Sequence, residues 1–297
     1  MCARTSKNEN SVLTFSALLA SGFAFGGLVL GLWVGSLVIV FDGVYSLVSL
    51  MLTLLSLAAS WYIQKPSDAQ FPFGRAVIEP IVIIIKATTI LAVVSYSLYS
   101  AIEAMFTGGR EVDASIATLF GVVNVLGCGY AWWFIARKSK QHSSGLIEAE
   151  SKQWQMDTLL SVAVTAGFVI AWLVSVSPAS AYAVYADPLM MLLMSFYFIK
   201  VPFDMLREAA RELLMMSPDK ELCQKVDNNI SAVEKEMPQD IQVTGVTKIG
   251  RELRVDVDIL TNKKAIDIKD IEQTRNKITR RLSALPYDLQ LNLNISH

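Results

Sequence analysis

Histidine and cysteine are nearly missing from this chain, and their scarcity removes whole classes of chemistry. The two histidines, His142 and His297, are too few for the usual acid-base constellations, and no His-Glu-x-x-His helix occurs. The three cysteines, Cys2, Cys128 and Cys223, lie far apart without a Cys-x-x-Cys pair. That argues against a disulfide framework, a structural zinc site or a thioredoxin-like motif, and they read as reduced structural residues. There is no Gly-x-Ser-x-Gly elbow and no phosphate-binding glycine loop, which leaves a membrane enzyme the weakest reading and no cofactor implied. Charge is sparse as well: 18% of the residues are Asp, Glu, Lys or Arg, and the formal net charge of -1 implies no nucleic-acid partner.

What the chain has in abundance is apolar length. Hydrophobic residues make up 53% of it, and the mean hydropathy is +0.43 despite a water-soluble C-terminal tail. A helix needs about 20 apolar residues to cross a bilayer core. Six runs meet that length: Leu13 to Val34, Leu37 to Ile63, Val77 to Phe106, Ala114 to Ala136, Leu146 to Val176 and Pro188 to Leu206. The first continues beyond signal-peptide length with no small-x-small cleavage pattern, so it is expected to be retained. Gly31, Gly35 and Ser36 read as the turn between the first two spans.

Lys and Arg fix the expected orientation. Arg4 and Lys7, then Lys65 and Arg75, then Arg137, Lys138, Lys140 and Lys152, then Arg207 and Arg211 all fall on one side; the other side holds Arg110 beside Glu111 and Asp113. By the positive-inside rule both termini are cytoplasmic, in a multi-pass protein expected in the plasma (inner) membrane. Trp61, Tyr62, Trp132 and Trp133 read as interfacial belt residues, and Glu103 and Lys200 lie where snorkelling to the headgroups is easy.

From about Ser217 the pattern becomes that of a small soluble module. Leu222, Val226, Ile230 and Val233 repeat at helical spacing, as do Ile268, Ile271, Ile278 and Leu282. Leu253, Val255, Val257 and Ile259 alternate with polar residues, and so do Leu289, Leu291, Leu293 and Ile295. With Ile241 to Ile249 as a further strand turning at Gly250, the order is helix, strand, strand, helix, strand: a compact α+β module whose helices cover one apolar sheet face.

Three ionisable groups sit inside or at the edge of the apolar runs: Asp42, Lys86 and Asp157. Charges at membrane depth are expensive, which makes them functional suspects. At 1.5 Å per residue Lys86 is roughly 14 Å inside a helix that starts near Val77, close to the middle of a core about 30 Å thick. A partner carboxylate across the bundle is therefore expected, with Asp42 or Asp157 as candidates. Such a pair, broken by protonation or cation binding, is a step where antiport arises; a purely structural ion pair is the competing reading.

Gly35-Ser36-Leu37 leading to Asp42, Phe71-Pro72-Phe73-Gly74 followed by Glu79-Pro80, the run Gln153-Trp154-Gln155-Met156-Asp157, and Asp187-Pro188 together resemble the cation diffusion facilitator family, over nearly the whole chain. The resemblance implies an α-helical membrane protein with six transmembrane helices and a C-terminal cytoplasmic ferredoxin-like αββαβ domain. It divides the chain into a tail (1–10), a membrane domain (11–206) and a homodimerising domain (207–297). It also implies a secondary transporter that exports a divalent cation against protons.

The family's transport site uses two ligand pairs at i, i+4, and the resemblance carries these onto Tyr45 and Ser49 of the second run and Gln153 and Asp157 of the fifth. Residues four apart share a helical face, so two facing helices close a four-ligand cage. The set departs from the His and Asp of the family's zinc exporters. An oxygen-only, low-charge quartet suits Mn²⁺, Mg²⁺ or Fe²⁺, or even a monovalent ion, better than zinc. Whether Asp42, one turn before Tyr45, faces the site instead stays open at this stage, as does a role for Asp42 as a residue bonded to nearby hydroxyls. Tyr45 and Gln153 also read as ordinary helix-interface residues.

Glu79 is expected to cap the start of its own helix or to contact the Phe71 to Arg75 loop. In the C-terminal module the histidine cluster of zinc-sensing relatives cannot form, and Asp256, Asp258 and Asp267 read as a solvated strand face, with a site for a harder cation as the alternative. Three classes of function remain: a divalent-cation/proton exchanger, an exchanger of a monovalent cation or other small solute on the same fold, and a non-transporting membrane scaffold or sensor.

Overall fold

The computed structural model describes residues 2–34, 37–109, 114–140, 144–176, 180–185, 188–189, 192–193, 195–196, 199–237, 240–260 and 268–296. Five long helices come first: α1 (Cys2–Val34), α2 (Leu37–Ile63), α3 (Ile78–Phe106), α4 (Ala114–Ser139) and α5 (Gly145–Ser175). Four helical stretches among the described residues are long and apolar enough to cross a membrane: Asn10–Leu30, Ser46–Ile63, Ile78–Phe106 and Gly145–Val174. Of the residues expected in the first turn, Gly31 instead continues α1, whose hydrogen-bonded backbone runs on to Val34, and Gly35 and Ser36 lie outside the described residues, as does much of the sixth apolar run. The end of that run appears in α6 (Lys200–Leu213), whose buried Pro202, Met205 and Ala209 form one face. The first helix begins ahead of its apolar run, at Cys2.

Local chemistry sets several of these ends. Ser144 is the N-cap of α5 in extended conformation, its hydroxyl accepting from the Ile147 N–H at 3.4 Å, which satisfies one of the first-turn donors. Arg137 and Lys138 occupy the last turn of α4, where cations complement the helix dipole. Between α2 and α3 the chain folds around Arg75, which donates to the carbonyls of Lys65 (3.2 Å) and Pro66 (2.6 Å) and pairs with Asp68. The guanidinium lies 5.1 Å from the Tyr62 ring and 4.7 Å from that of Phe71, so cation-π attraction adds to the ion pair.

The helices associate as α1 on α2, α4 on α5, and α3 on α6, with α3 touching α2 and α5 more thinly. Val12 and Ala20 of α1 meet Cys128, Ala131 and Ile135 of α4 and Ile147 and Trp154 of α5. Met205 of α6 packs with Ala87 and Ala149, which joins α6 to α3 and α5.

The C-terminal module has α7 (Lys220–Glu234), β1 (Asp240–Ile249), β2 (Glu252–Leu260), α8 (Ile268–Leu282) and β3 (Asp288–Ser296). The sheet order is β1-β2-β3, with β1 antiparallel and β3 parallel to β2, so α8 is the crossover. The strand alternation holds: Leu253, Val255, Val257 and Ile259 are all buried, and Val226, Ile230, Val233, Ile278 and Leu282 pack on the first three from the helices. Ile268 departs from the expected pattern, being exposed at the first position of α8, ahead of the buried face of Thr274, Ile278 and Leu282. Gly250 turns β1 into β2 at φ +56, a left-handed conformation that strains any side chain.

Candidate functional site

Four hydroxyl residues of α2, Ser49, Thr53, Ser56 and Ser60, recur at the spacing of one helical face and are all buried. Burying hydroxyls requires partners: α5 supplies them for Ser49 and Thr53, Lys86 of α3 for Ser56, and Asn10 of α1 for Ser60. From α5, Gln153 Nε2 donates to Ser49 Oγ at 2.5 Å and lies 3.4 Å from the Ser49 carbonyl. Ser49 Oγ in turn lies 3.5 Å from Asp157 Oδ2. Three of the residues expected at the ion site thus meet between two facing helices. They are deeply enclosed: Asp157 and Ser49 are each 8% exposed and Gln153 is 3% exposed. The other Gln153 amide atom, Oε1, is buried and has no hydrogen-bond partner among the described residues. A buried acceptor in that state costs about 1–3 kcal/mol, which a cation or its water ligand would relieve.

Asp42 and Tyr45 fall on α2, but their side chains lie outside the described residues. His142, His297 and Asp267 lie outside them too. Among the described residues no three His, Cys, Asp or Glu gather as a metal cluster, so any cation held at Ser49, Gln153 and Asp157 would meet a carboxylate, an amide and a hydroxyl.

Lys86 has a partner carboxylate, but the expected identity is corrected. Lys86 Nζ pairs not with Asp157 but with Glu150 Oε2 of α5, both side chains being fully buried, while the Asp42 side chain lies outside the described residues. The ammonium also donates to Ser56 Oγ at 3.2 Å. Glu150 Oε1 accepts from Ser16 Oγ of α1 and from Thr53 Oγ1 of α2, both at 2.6 Å, and Ser16 Oγ accepts from the Trp154 indole at 2.6 Å. Four helices therefore converge on one neutral ion pair. The physical reason is position: Glu150 lies nearer the start of α5 than Asp157, level with Lys86 in α3. The sequence held a signal for it, since Glu150 precedes Asp157 by two helical turns on the same face of an apolar run.

Glu79 is also corrected. Its carboxylate accepts from the N–H of Leu146, at the start of α5, at 3.2 Å, and so caps a neighbouring helix rather than its own. It lies beside Gly145 and against Gly250 of the β1–β2 turn. Glu212 of α6 completes this junction, accepting from Lys248 Nζ (2.8 Å) and from the Gly250 N–H (2.9 Å). Burial alone would lower the Lys248 ammonium; the Glu212 carboxylate outweighs it and holds the group above its ordinary value. At the same end of the bundle, Asn10 Oδ1 of α1 accepts from Ser60 Oγ (2.8 Å) and Gln64 Nε2 (3.2 Å) at the end of α2.

The outer groups are plainer. Glu103 and Lys200 are exposed. Asp256 and Asp258 accept from Asn292 (2.8 Å) and Asn294 (3.3 Å) across β2 and β3.

Comparison with known proteins places these features in a context. The profile of the cation efflux transmembrane domain matches residues 13–214. The chain is 26% identical over 216 residues to the manganese efflux system protein MneP of Bacillus subtilis, covering 72% of this chain and 70% of that protein. It is 24% identical over 272 residues to the magnetosome protein MamB of Paramagnetospirillum magneticum, covering 90% and 87%. A probable proton-coupled zinc antiporter of Mus musculus is 27% identical over 113 residues, which is 38% of this chain and 26% of that one.

Proposed function

The chain belongs to the cation diffusion facilitator (cation efflux) family, a family of transporters rather than enzymes, and we propose that it exports a hard divalent cation of the Mn²⁺, Fe²⁺ or Mg²⁺ kind in exchange for protons. The observation that carries this reading is the Ser49–Gln153–Asp157 constellation, with one buried amide oxygen of Gln153 left without a partner among the described residues. An aspartate, an amide oxygen and a hydroxyl form an all-oxygen set, the donor chemistry of hard cations rather than of zinc. Tyr45, or Asp42 one turn before it, completes the coordination in this reading. The likeness to a manganese efflux protein over most of the chain agrees with it.

The rest of the architecture follows the family. Six membrane helices are formed within 11–206, α4 and the run ending in α6 joining the four spans, and 1–10 is the N-terminal tail. Residues 207–297 form a ferredoxin-like domain that holds a homodimer. Both termini lie in the cytoplasm, with the protein in the plasma membrane. The contact of Asn10 with Gln64 at the end of the bundle where Glu79 meets Gly250 supports a shared side for the two termini.

Ion-driven proton flux in proteoliposomes tests the whole reading, comparing Mn²⁺, Fe²⁺, Mg²⁺, Zn²⁺, Na⁺ and K⁺ with wild type and Asp157→Asn. Flux driven by one divalent ion and lost in Asp157→Asn is the expected result. Flux with Na⁺ or K⁺ alone would move the protein to a monovalent exchanger. Silence in tight vesicles with every ion would leave a scaffold.

A further inference from the structure

The Lys86–Glu150 pair is a buried charge module next to the ion site, and nothing in the cation-binding set of Ser49, Gln153 and Asp157 uses it. Its surroundings are unusually complete in titratable terms. On α1 only Ser16 reaches Glu150, on α2 Thr53, and on α3 Lys86. Cys128, Ala131 and Ile135 of α4 lie in the neighbouring apolar cluster. From α6, Met205 packs near Ala149 while Glu208 turns outward to Lys152. On its own helix, Glu148 and Lys152 pair with each other. Among the described residues, Lys86 is therefore the one charged side chain in contact with Glu150.

The pair is also connected to the ion site. Thr53 Oγ1, which donates to Glu150, lies 3.1 Å from the carbonyl of Ser49, and Ser49 holds both Gln153 and Asp157. One hydroxyl proton serves two acceptors there. Glu150 and Asp157 are seven residues apart on one helix, a rise of about 10 Å. At that separation inside a low-dielectric bundle, charges are felt strongly and are little screened by salt.

We propose that Glu150 is the carboxylate that exchanges a proton against the cargo cation, with Lys86 as its fixed counter-charge. This rests on the cation/proton exchange proposed above and names the group that carries the proton. With Glu150 ionised, the module is neutral, and a divalent cation at Asp157 meets no opposing charge. When a proton adds to Glu150, an O–H bond forms on its carboxylate and the Lys86 ammonium keeps all its protons. The module then carries one net positive charge, and the freed ammonium repels the cation. Loss of that proton restores the neutral pair and admits the cation again. Each exclusion is reciprocal, so one proton at Glu150 and one cation at Asp157 do not share the bundle. Protonation also releases the tie that holds α3 to α5 across their thin contact, which gives the exchange a mechanical consequence.

The test uses the full-length protein in detergent and in proteoliposomes, with Mn²⁺ as the probe and Na⁺ in parallel. Wild type is expected to lose Mn²⁺ affinity on acidification, by about tenfold per pH unit for one linked proton. Glu150→Gln, which leaves the ammonium without its counter-charge, is expected to bind Mn²⁺ weakly at every pH. The neutral double variant Lys86→Met/Glu150→Met is expected to flatten the pH slope of both Mn²⁺ binding and Mn²⁺-driven proton flux, and it keeps the test open if Glu150→Gln fails to fold. A double variant that retains the wild-type slope overturns the proposal. Infrared pH-difference spectra supply a readout that needs no cargo: a protonated-carboxyl band present in wild type and lost in the double variant is expected, and an unchanged band overturns Glu150 as the proton carrier. Wild-type Mn²⁺ binding and flux that survive Asp157→Asn would instead overturn the reading of the ion site, and leave the band assigned to Glu150 standing.

Discussion

Glu79 in the first turn of α3 lies against Gly250 in the β1–β2 turn, so closely that any side chain at 250 would run into its carboxylate. The same carboxylate receives the N–H of Leu146 at the start of α5. One acid therefore joins two membrane helices to the C-terminal module, and the missing side chain at Gly250 is what lets it do so.

Gly250→Ala carries two penalties, the positive φ of 56° and the encounter with Glu79. The left-handed conformation costs about 1–2 kcal/mol, and displacing Glu79 from the Leu146 N–H adds about 1–3 kcal/mol. A lower thermal midpoint in detergent and faster proteolysis between α6 and β1 are expected. Glu79→Ala combined with Gly250→Ala should recover the steric part alone; a double variant no better than the sum of the two would show that the residues do not meet.

Lys86→Met leaves the Glu150 carboxylate buried without its cation, a change that typically costs about 3–5 kcal/mol. The double variant Lys86→Met/Glu150→Leu replaces the pair by apolar side chains and should sit near wild type, although Ser16 and Thr53 lose an acceptor. Thermal unfolding of wild type, both singles and the double measures the cycle. A double as unstable as either single would contradict the ion pair.

Gln153→His introduces an imidazole beside Ser49 and Asp157. Because zinc prefers nitrogen donors more than manganese does, competition of Zn²⁺ against Mn²⁺ for the purified protein should move toward Zn²⁺. Unchanged competition would place Gln153 outside the ion's coordination.

In the C-terminal module, the hydrogen bond from Arg281 and then that from Lys277 hold the Glu236 carboxyl below its ordinary 4.5. Arg281 Nη2 donates at 2.6 Å and Lys277 Nζ lies at 3.3 Å, so the end of α7 is tied to α8. A depressed carboxyl stabilises the fold above its unfolded value, and that contribution disappears as the pH falls through its folded value. Stability measured from pH 6 downward should therefore decline below about 4.5, and Glu236→Gln should flatten that part of the curve without steepening it elsewhere.

Much of the fold was legible because it depends on local period. Alternation along Leu253 to Ile259 made that strand's inner face readable, and spacing along Val226, Ile230 and Val233 did the same for α7. Where a pattern ended, legibility ended: Ile268 fits the helical period, but as the first residue of α8 it stands ahead of the face that packs on the sheet and is exposed. The candidate site was half legible. The family resemblance pointed to Ser49, Gln153 and Asp157, and the fold brings these three side chains together, whereas Glu150 went unnoticed because its importance lies in what touches it from three other helices.

The sequence by itself determined that long apolar helices would form, that a charged group at Lys86 needed a carboxylate, and that the tail would be a separate sheet with helices upon it, because these follow from hydrophobic period and the cost of buried charge. Tertiary structure alone decided which carboxylate, which helix Glu79 caps, and which hydroxyls line Ser49 and Glu150. Those contacts depend on how far each helix is rotated and shifted along its neighbours, and ridges packed into grooves settle that over the whole bundle at once, a quantity no single stretch of sequence contains.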